Sequence, residues 1–138
     1  MSKTATPKPP LIAAGLLVKQ RKVLLCHRLP SRESFPDVWD FPGGHVEANE
    51  APAAALVREL HEEIGVWVRV PERPSWARLA TDDFDLRVWL ITEWVGTPRN
   101  IAVGEHDEIG WFSQPKAVDL NLAHAVYPSL ITTALRLP

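Results

Sequence analysis

The chain of 138 residues is short of several things that would have fixed its class at once. It has one cysteine, Cys26, so no internal disulfide can form and no cysteine pair is available for a zinc site. Cys26 lies in the apolar run KVLLCHRL, which points to a buried position and is consistent with a reducing, cytoplasmic setting. No apolar segment is long enough to cross a bilayer, so no membrane partner is expected. The opening MSKTATPKPP lacks the apolar core of a signal peptide. It reads as a flexible lead-in over residues 1–10, followed by one domain over 11–138. Positive charge is not in surplus either. With Lys+Arg at 15 against Asp+Glu at 17, there is no electrostatic case for binding a nucleic-acid polymer.

What is present reads as a mixed α/β chain. LIAAGLLV and KVLLCHRL are apolar runs separated by KQR, which implies two strands and a tight turn. SRESFPDVWDFPGG, with two prolines and two glycines, reads as a loop. From Ala51 to Ile64 the apolar residues Ala53, Leu56, Val57, Leu60 and Ile64 recur at helical spacing. Asn49 is the expected N-cap, Pro52 fits the first turn, and Gly65 fits the left-handed stop. VWVRV reads as a short strand, and DLRVWLITEWV as a longer one lying centrally in a sheet. EHDEIGWFS reads as a polar loop entering a short apolar element, and NLAHAVYPSLITTALRLP as a closing helix with Pro128 near a break or a start. The fold class is α/β (α+β), with a mixed β-sheet flanked by helices.

The stretch from Phe41 to Val66, FPGGHVEANEAPAAALVRELHEEIGV, holds glutamates at 47, 50, 59, 62 and 63, with Arg58 its only arginine or lysine. At about 100° per residue, Glu59, Glu62 and Glu63 fall within one arc of the helix, away from its apolar side. Pro52 and Ala55 share that arc and leave room beside it. The i,i+4 pair Glu59 and Glu63 costs about 0.2–0.5 kcal/mol in an isolated helix, little enough for a solvated acidic face to tolerate. Clustered carboxylates are also what hard divalent cations bind, together with water and substrate phosphates. The strip alone allows either reading.

Its surroundings narrow the choice. Gly44, Glu50, Arg58, Glu59, Leu60, Glu62, Glu63, Gly65 and Val66 fill the pattern G-x5-E-x7-R-E-U-x-E-E-x-G-U, where U is bulky and aliphatic, without a departure. At average residue usage the seven fixed identities coincide by chance with probability ~10⁻⁹ to 10⁻⁸. This is the Nudix box, and the chain resembles the Nudix hydrolases. The resemblance implies an α/β/α sandwich. It also implies hydrolysis of a pyrophosphate bond in a nucleoside diphosphate derivative, with Mg²⁺ or Mn²⁺ as cofactor.

The resemblance also assigns roles. Glu59, Glu62 and Glu63 are the metal-facing glutamates, with a Gly43 carbonyl completing the metal shell; Glu59 and Glu62 are the candidates for general base. Arg58 orients a box glutamate, Glu50 sits structurally at the helix start, and Gly65 is structural. Relatives add an acid from a later loop. GEHDEIGWF offers Glu105, Asp107 and Glu108, with Glu105 preferred, although Gly110 stands where some relatives place that acid. For the substrate, Trp39 and Phe41 are candidates to stack on a base, Arg28 and Arg32 to meet phosphate, and Asn121 and His124 to meet a base edge. The markers of ADP-ribose, dinucleoside polyphosphate and coenzyme A hydrolases are absent. That leaves as the default a (d)NTP pyrophosphohydrolase releasing a nucleoside monophosphate and pyrophosphate, with oxidised guanine nucleotides among its substrates. The alternatives are an ADP-ribose, nucleotide-sugar or dinucleoside polyphosphate pyrophosphatase, or a non-catalytic nucleotide-binding domain. RNA decapping is disfavoured because no basic groove is evident. Relatives are often homodimers, and nothing in this sequence selects an oligomeric state.

Overall fold

The computed structural model describes residues 8–137; most of the expected flexible lead-in therefore lies outside the described residues. Seven strands form one mixed sheet: β1 (Leu11–Lys19), β2 (Lys22–Arg28), β3 (Trp39–Asp40), β4 (Gly43–His45), β5 (Ala77–Ala80), β6 (Asp85–Ile91) and β7 (His106–Ser113). The helices are α1 (Pro52–Ile64), α2 (Gln114–Val118) and α3 (Tyr127–Arg136). None among the described residues is long and apolar enough to cross a membrane.

β1 organises the sheet. One edge runs parallel to β6 from Leu11 to Leu17, and β5 continues the sheet beyond β6. The other edge is shared: Ile12–Ala14 pair with β4, while Val18 and Lys19 pair with β2. β2 then carries β3 and β7, both antiparallel. β6 thus lies inside the sheet between β1 and β5, as the apolar residues on both its faces imply.

Successive strand residues point to opposite faces, and both faces are apolar. Ala13, Leu17, Leu24, Cys26, Trp89 and Ile91 meet Leu56, Leu60 and Ile64 of α1. Ala14, Leu16, Val23, Leu25, Leu86 and Val88 meet Ala117, Tyr127, Ile131 and Ala134 from α2 and α3. The result is the α/β/α sandwich. Gly15 lets α1 approach, because a Cβ there would stand 3.2 Å from a Leu60 methyl. Leu56, Leu60 and Ile64 are fully buried; three such side chains contribute about 5–9 kcal/mol, far more than the roughly 0.2–0.5 kcal/mol of like-charge repulsion along the acidic side of the helix.

Several local expectations are corrected. EHDEIGWFS is not a loop from His106 onward but β7, paired with β2 along its length. The exposed Asp107 and Glu108 at its start disguise a strand that pairs from His106 to Ser113 with one irregularity, at Asp107. VWVRV alternates in burial like a strand yet makes only the isolated bridge Trp67–Val95. Short strands β3 and β4 interrupt the proline-rich loop, and β5 and α2 had no distinct sequence signal. Helix α1 is preceded by Ala51 without a side-chain cap, because Asn49 adopts a left-handed turn (φ 64°) instead. Gly65 ends α1 at φ 73°, as expected, and Pro128 lies in the first turn of α3.

The β1–β2 turn has both central residues left-handed, Gln20 at φ 51° and Arg21 at φ 62°, a geometry that favours Asn-Gly. Replacing Gln20–Arg21 with Asn–Gly is expected to raise stability by about 1 kcal/mol, read as a higher urea midpoint at unchanged slope. An unchanged or lower midpoint would show that the turn is not strained.

Candidate active site

A cavity of about 490 Å³ opens where β4, α1, the residue 28–41 segment and the Glu105–His106 corner converge. Its lining includes Glu47, Glu59, Glu63, Glu105 and His106, with Gly43 and Gly44 of β4. Gly44 admits the Glu59 carboxylate: an added Cβ would lie 2.4 Å from it. At Gly43 a Cβ would fall 2.2 Å from the Ala13 carbonyl oxygen, so β4 can pair with β1 here only with glycine. The Gly43 N–H donates to Glu63 Oε2 at 2.8 Å. That contact involves the amide, and it docks the GG segment onto the helix.

The glutamates are not one exposed strip. Glu63 is 4% exposed, Glu59 is half-buried, and the Glu62 side chain is 57% exposed and outside the cavity lining. Glu62 departs because it lies about 100° around the helix from Glu63, on the side where Arg58 meets it at 3.2 Å. Ala55, expected beside a ligand, is buried in the core.

Burial pushes the Glu63 carboxyl well above the usual range against the Gly43 hydrogen bond, and the Glu105 and Glu59 charges push it further. Burial also raises Glu59, opposed by Arg58 and reinforced by Glu62 and Glu105. Carboxyls so crowded are poorly matched to one another and well matched to a multivalent cation. Ligand atoms of Glu63, Glu105 and His106 all lie within 4.8 Å of one another. The donor set thus fits a divalent metal ion. His106 is 3% exposed, its Nδ1 has no hydrogen-bond partner among the described residues, and burial lowers its pKa.

Arg58 lies at the centre of the acidic row. Its guanidinium donates to Glu50 at 2.8 and 2.9 Å, to Glu59 at 2.9 Å, to Glu62 at 3.2 Å and to the His45 carbonyl at 3.1 Å. Glu50 is therefore not a helix cap: it holds Arg58 and accepts the Glu47 N–H. Hydrogen bonding from Arg58, then from that N–H, holds its carboxyl down at about 2.

The expected substrate residues divide. Arg28 lines the cavity, but its Nε and NH2 donate to the Phe35 and Ser34 carbonyls, so it shapes the loop rather than offering a free cation. Arg32 lines the cavity 3.8 Å from Glu105. Phe41 forms part of the wall at 3% exposure, stacked on Tyr127 with ring centres 4.0 Å apart, which leaves little of its face for a base. Trp39 is not in the lining; its ring packs against His27 and Phe112, correcting the idea that it stacks on a ligand. Asn121 is also outside, its side chain on the Asp37 carbonyl and its own carbonyl accepting from Trp39. His124 is inside, within an aromatic group with Phe35 (4.8 Å), Phe84 (4.9 Å) and Tyr127 (5.0 Å). Beside them Asp40 accepts from Tyr127 Oη at 2.6 Å and from the Phe41 N–H at 2.8 Å. The sequence reading gave no site role to Phe35, Asp40, Phe84, His106 or Tyr127; none carries a local motif.

Comparison with known proteins agrees with this geometry. A family model described as NUDIX domain matches residues 9–132. A CTP pyrophosphohydrolase from Escherichia coli is 31% identical over 121 residues, covering 86% of this chain and 87% of that protein. An 8-oxo-dGTP diphosphatase from Haemophilus influenzae is 32% identical over 112 residues, 78% of each chain. The crystal structure of a MutT NUDIX hydrolase from Burkholderia pseudomallei superposes with a TM-score of 0.76 at 26% identity, covering 94% of this chain and 97% of that one.

Two outcomes follow from the glycines and from Arg58. Gly43→Ala is expected to lower stability by at least about 2 kcal/mol, since it drives Cβ into backbone, whereas Gly44→Ala displaces the Glu59 carboxylate and weakens metal binding more than stability. Denaturant midpoints and metal titrations on both variants separate the two. For Glu50, whose folded pKa is depressed, the stabilisation is present above about 4.5 and is lost as pH falls toward about 2. Carboxyl NMR of Glu50 should follow that low titration in the native protein and return toward 4.5 in Arg58→Gln. A Glu50 titration unmoved by Arg58→Gln would contradict the assignment.

Proposed function

The chain belongs to the NUDIX-domain family, and from that premise we propose that it is a nucleotide pyrophosphohydrolase that cleaves (d)NTPs to a nucleoside monophosphate and pyrophosphate. The observation that carries this reading is one cavity holding two groups: the carboxylates Glu59, Glu63 and Glu105, and the rings Phe35, Phe84 and His124. The first suits a divalent ion with a polyphosphate, and the second suits a flat base. The relatives named for CTP and for 8-oxo-dGTP support a single nucleotide as substrate and keep oxidised guanine nucleotides among the candidates.

Residue roles follow from position. Glu59, Glu63 and Glu105 would hold Mg²⁺ or Mn²⁺, which when bound neutralises the pyrophosphate oxygens and lowers the pKa of a bound water. Gly43 fixes the Glu63 carboxylate through its N–H, and Arg58 fixes that of Glu59. Glu59 is the better placed of the two candidate bases, because Glu62 lies outside the cavity. The aromatic group holds the base while water adds to phosphorus and the anhydride oxygen departs with the pyrophosphate. The reading includes one domain over 11–138, a cytoplasmic setting and a homodimer as the assembly to test first.

A phosphate-release screen tests it, with pyrophosphatase and phosphatase used separately as coupling enzymes, over canonical and 8-oxo (d)NTPs, ADP-ribose, NADH, Ap4A, coenzyme A and nucleotide sugars. A triphosphate signal that requires pyrophosphatase is expected, falling by at least about 10²–10³-fold in Glu63→Gln. Preference for ADP-ribose or another diphosphate conjugate would overturn the substrate and leave the hydrolase. No turnover of any substrate would favour a binding domain.

A further inference from the structure

His106 has no role in the reading above, and its surroundings do not explain it. The ring is 3% exposed, its Nδ1 is buried and unpartnered among the described residues, and it lines the cavity beside Glu63 and Glu105. A buried polar atom without a partner costs free energy unless something occupies its lone pair. The main chain at this corner is anchored from three directions. Leu29 N–H donates to the Glu105 carbonyl at 3.1 Å, Asn100 Nδ2 to the His106 carbonyl at 2.9 Å, and His106 N–H to the Ala102 carbonyl at 3.0 Å. The ring's placement is therefore built rather than incidental.

The geometry points to His106 as a nitrogen ligand beside the Glu63 and Glu105 carboxylates, so that this cavity holds a first-row transition divalent cation such as Mn²⁺ or Co²⁺ in preference to Mg²⁺. This rests on the reading that the cavity binds a metal ion. Donor atoms of all three residues lie within 4.8 Å of one another. Bonds of about 2.1 Å place adjacent donors on one octahedral ion about 3.0 Å apart and opposite donors about 4.2 Å apart, so side-chain movements of up to about 1 Å each close the set. An all-oxygen site suits Mg²⁺, whereas an imidazole adds binding energy for first-row transition ions and little for Mg²⁺. His45 and His124 also line the cavity, but neither joins the set whose donor atoms converge.

The test is Mn²⁺ binding by the full chain, followed by pulsed electron paramagnetic resonance for nitrogen coupled to the bound ion, with Mg²⁺ affinity measured separately by calorimetry. Bound Mn²⁺ should show imidazole ¹⁴N coupling that changes on ¹⁵N-histidine labelling, survives in His45→Gln and His124→Gln, and disappears in His106→Phe. Mn²⁺ affinity should fall at least about tenfold in His106→Phe, the scale seen even for groups hydrogen-bonded to metal ligands, with Mg²⁺ affinity held within about twofold. If His106→Phe does not fold, the labelled native protein with the two other histidine variants still decides the matter. Mn²⁺ binding that depends on Glu63 but shows no nitrogen coupling, or coupling lost in His45→Gln or His124→Gln, would overturn His106 as a ligand while leaving the carboxylate site intact. Absence of any Mn²⁺ binding would overturn both.

Discussion

A carboxylate buried inside a helix–sheet interface is held in place by one backbone N–H, that of Gly43. The rest of the site depends on this contact. It requires β4 to lie against β1 without side chains at Gly43 or Gly44, and it requires α1 to approach closely enough for Glu63 and Glu59 to reach those glycines. The close approach comes from Gly15 beneath Leu60 and from the aliphatic stripe that seats the helix. Apolar packing thus sets the depth at which the charges sit, and that depth sets their proton affinity.

Arg58 resolves part of the resulting crowding. It gathers Glu50, Glu59 and Glu62 around a single cation and ties them to the His45 carbonyl. Among the described residues, Glu63 and Glu105 are left facing the cavity without a lysine or arginine in hydrogen-bond contact. The acidic row is thus divided: Glu50 and Glu62 are held by Arg58, Glu59 meets both Arg58 and the cavity, and Glu63 and Glu105 face the cavity.

The acidic side of the cavity could be placed from sequence because it is local. Gly44 to Val66 lie in one continuous strand–loop–helix segment, so their spacing in sequence maps directly onto their spacing in space, and α1 ends at Gly65 as its composition implies. Glu105 was readable only through family likeness. Glu62 was grouped with Glu59 and Glu63 because an arc about 100° wide spans both the cavity side of α1 and the side held by Arg58. The aromatic group was illegible for a topological reason: Phe35, Phe84 and His124 come from three separate loops, which the shared edge of β1 and the central position of β6 bring together. β7 was hidden by Asp107 and Glu108, whose charge reads as loop although Glu108 pairs with His27 of β2 and Asp107 sits at an irregularity within the same ladder.

Cys26, on β2 beneath α1, gives the molecule a built-in clock. It is the chain's only thiol, fully buried, and burial first, then the Glu63 and Asp40 charges, hold its pKa well above that of a free thiol. Only the thiolate attacks a disulfide or alkylating reagent, so in the closed protein the sulfur is both inaccessible and in the wrong protonation state. Capture of this single atom therefore reports the lifetime of the closed sandwich, with no dye or engineered label and from beside the residue on which the site is hung.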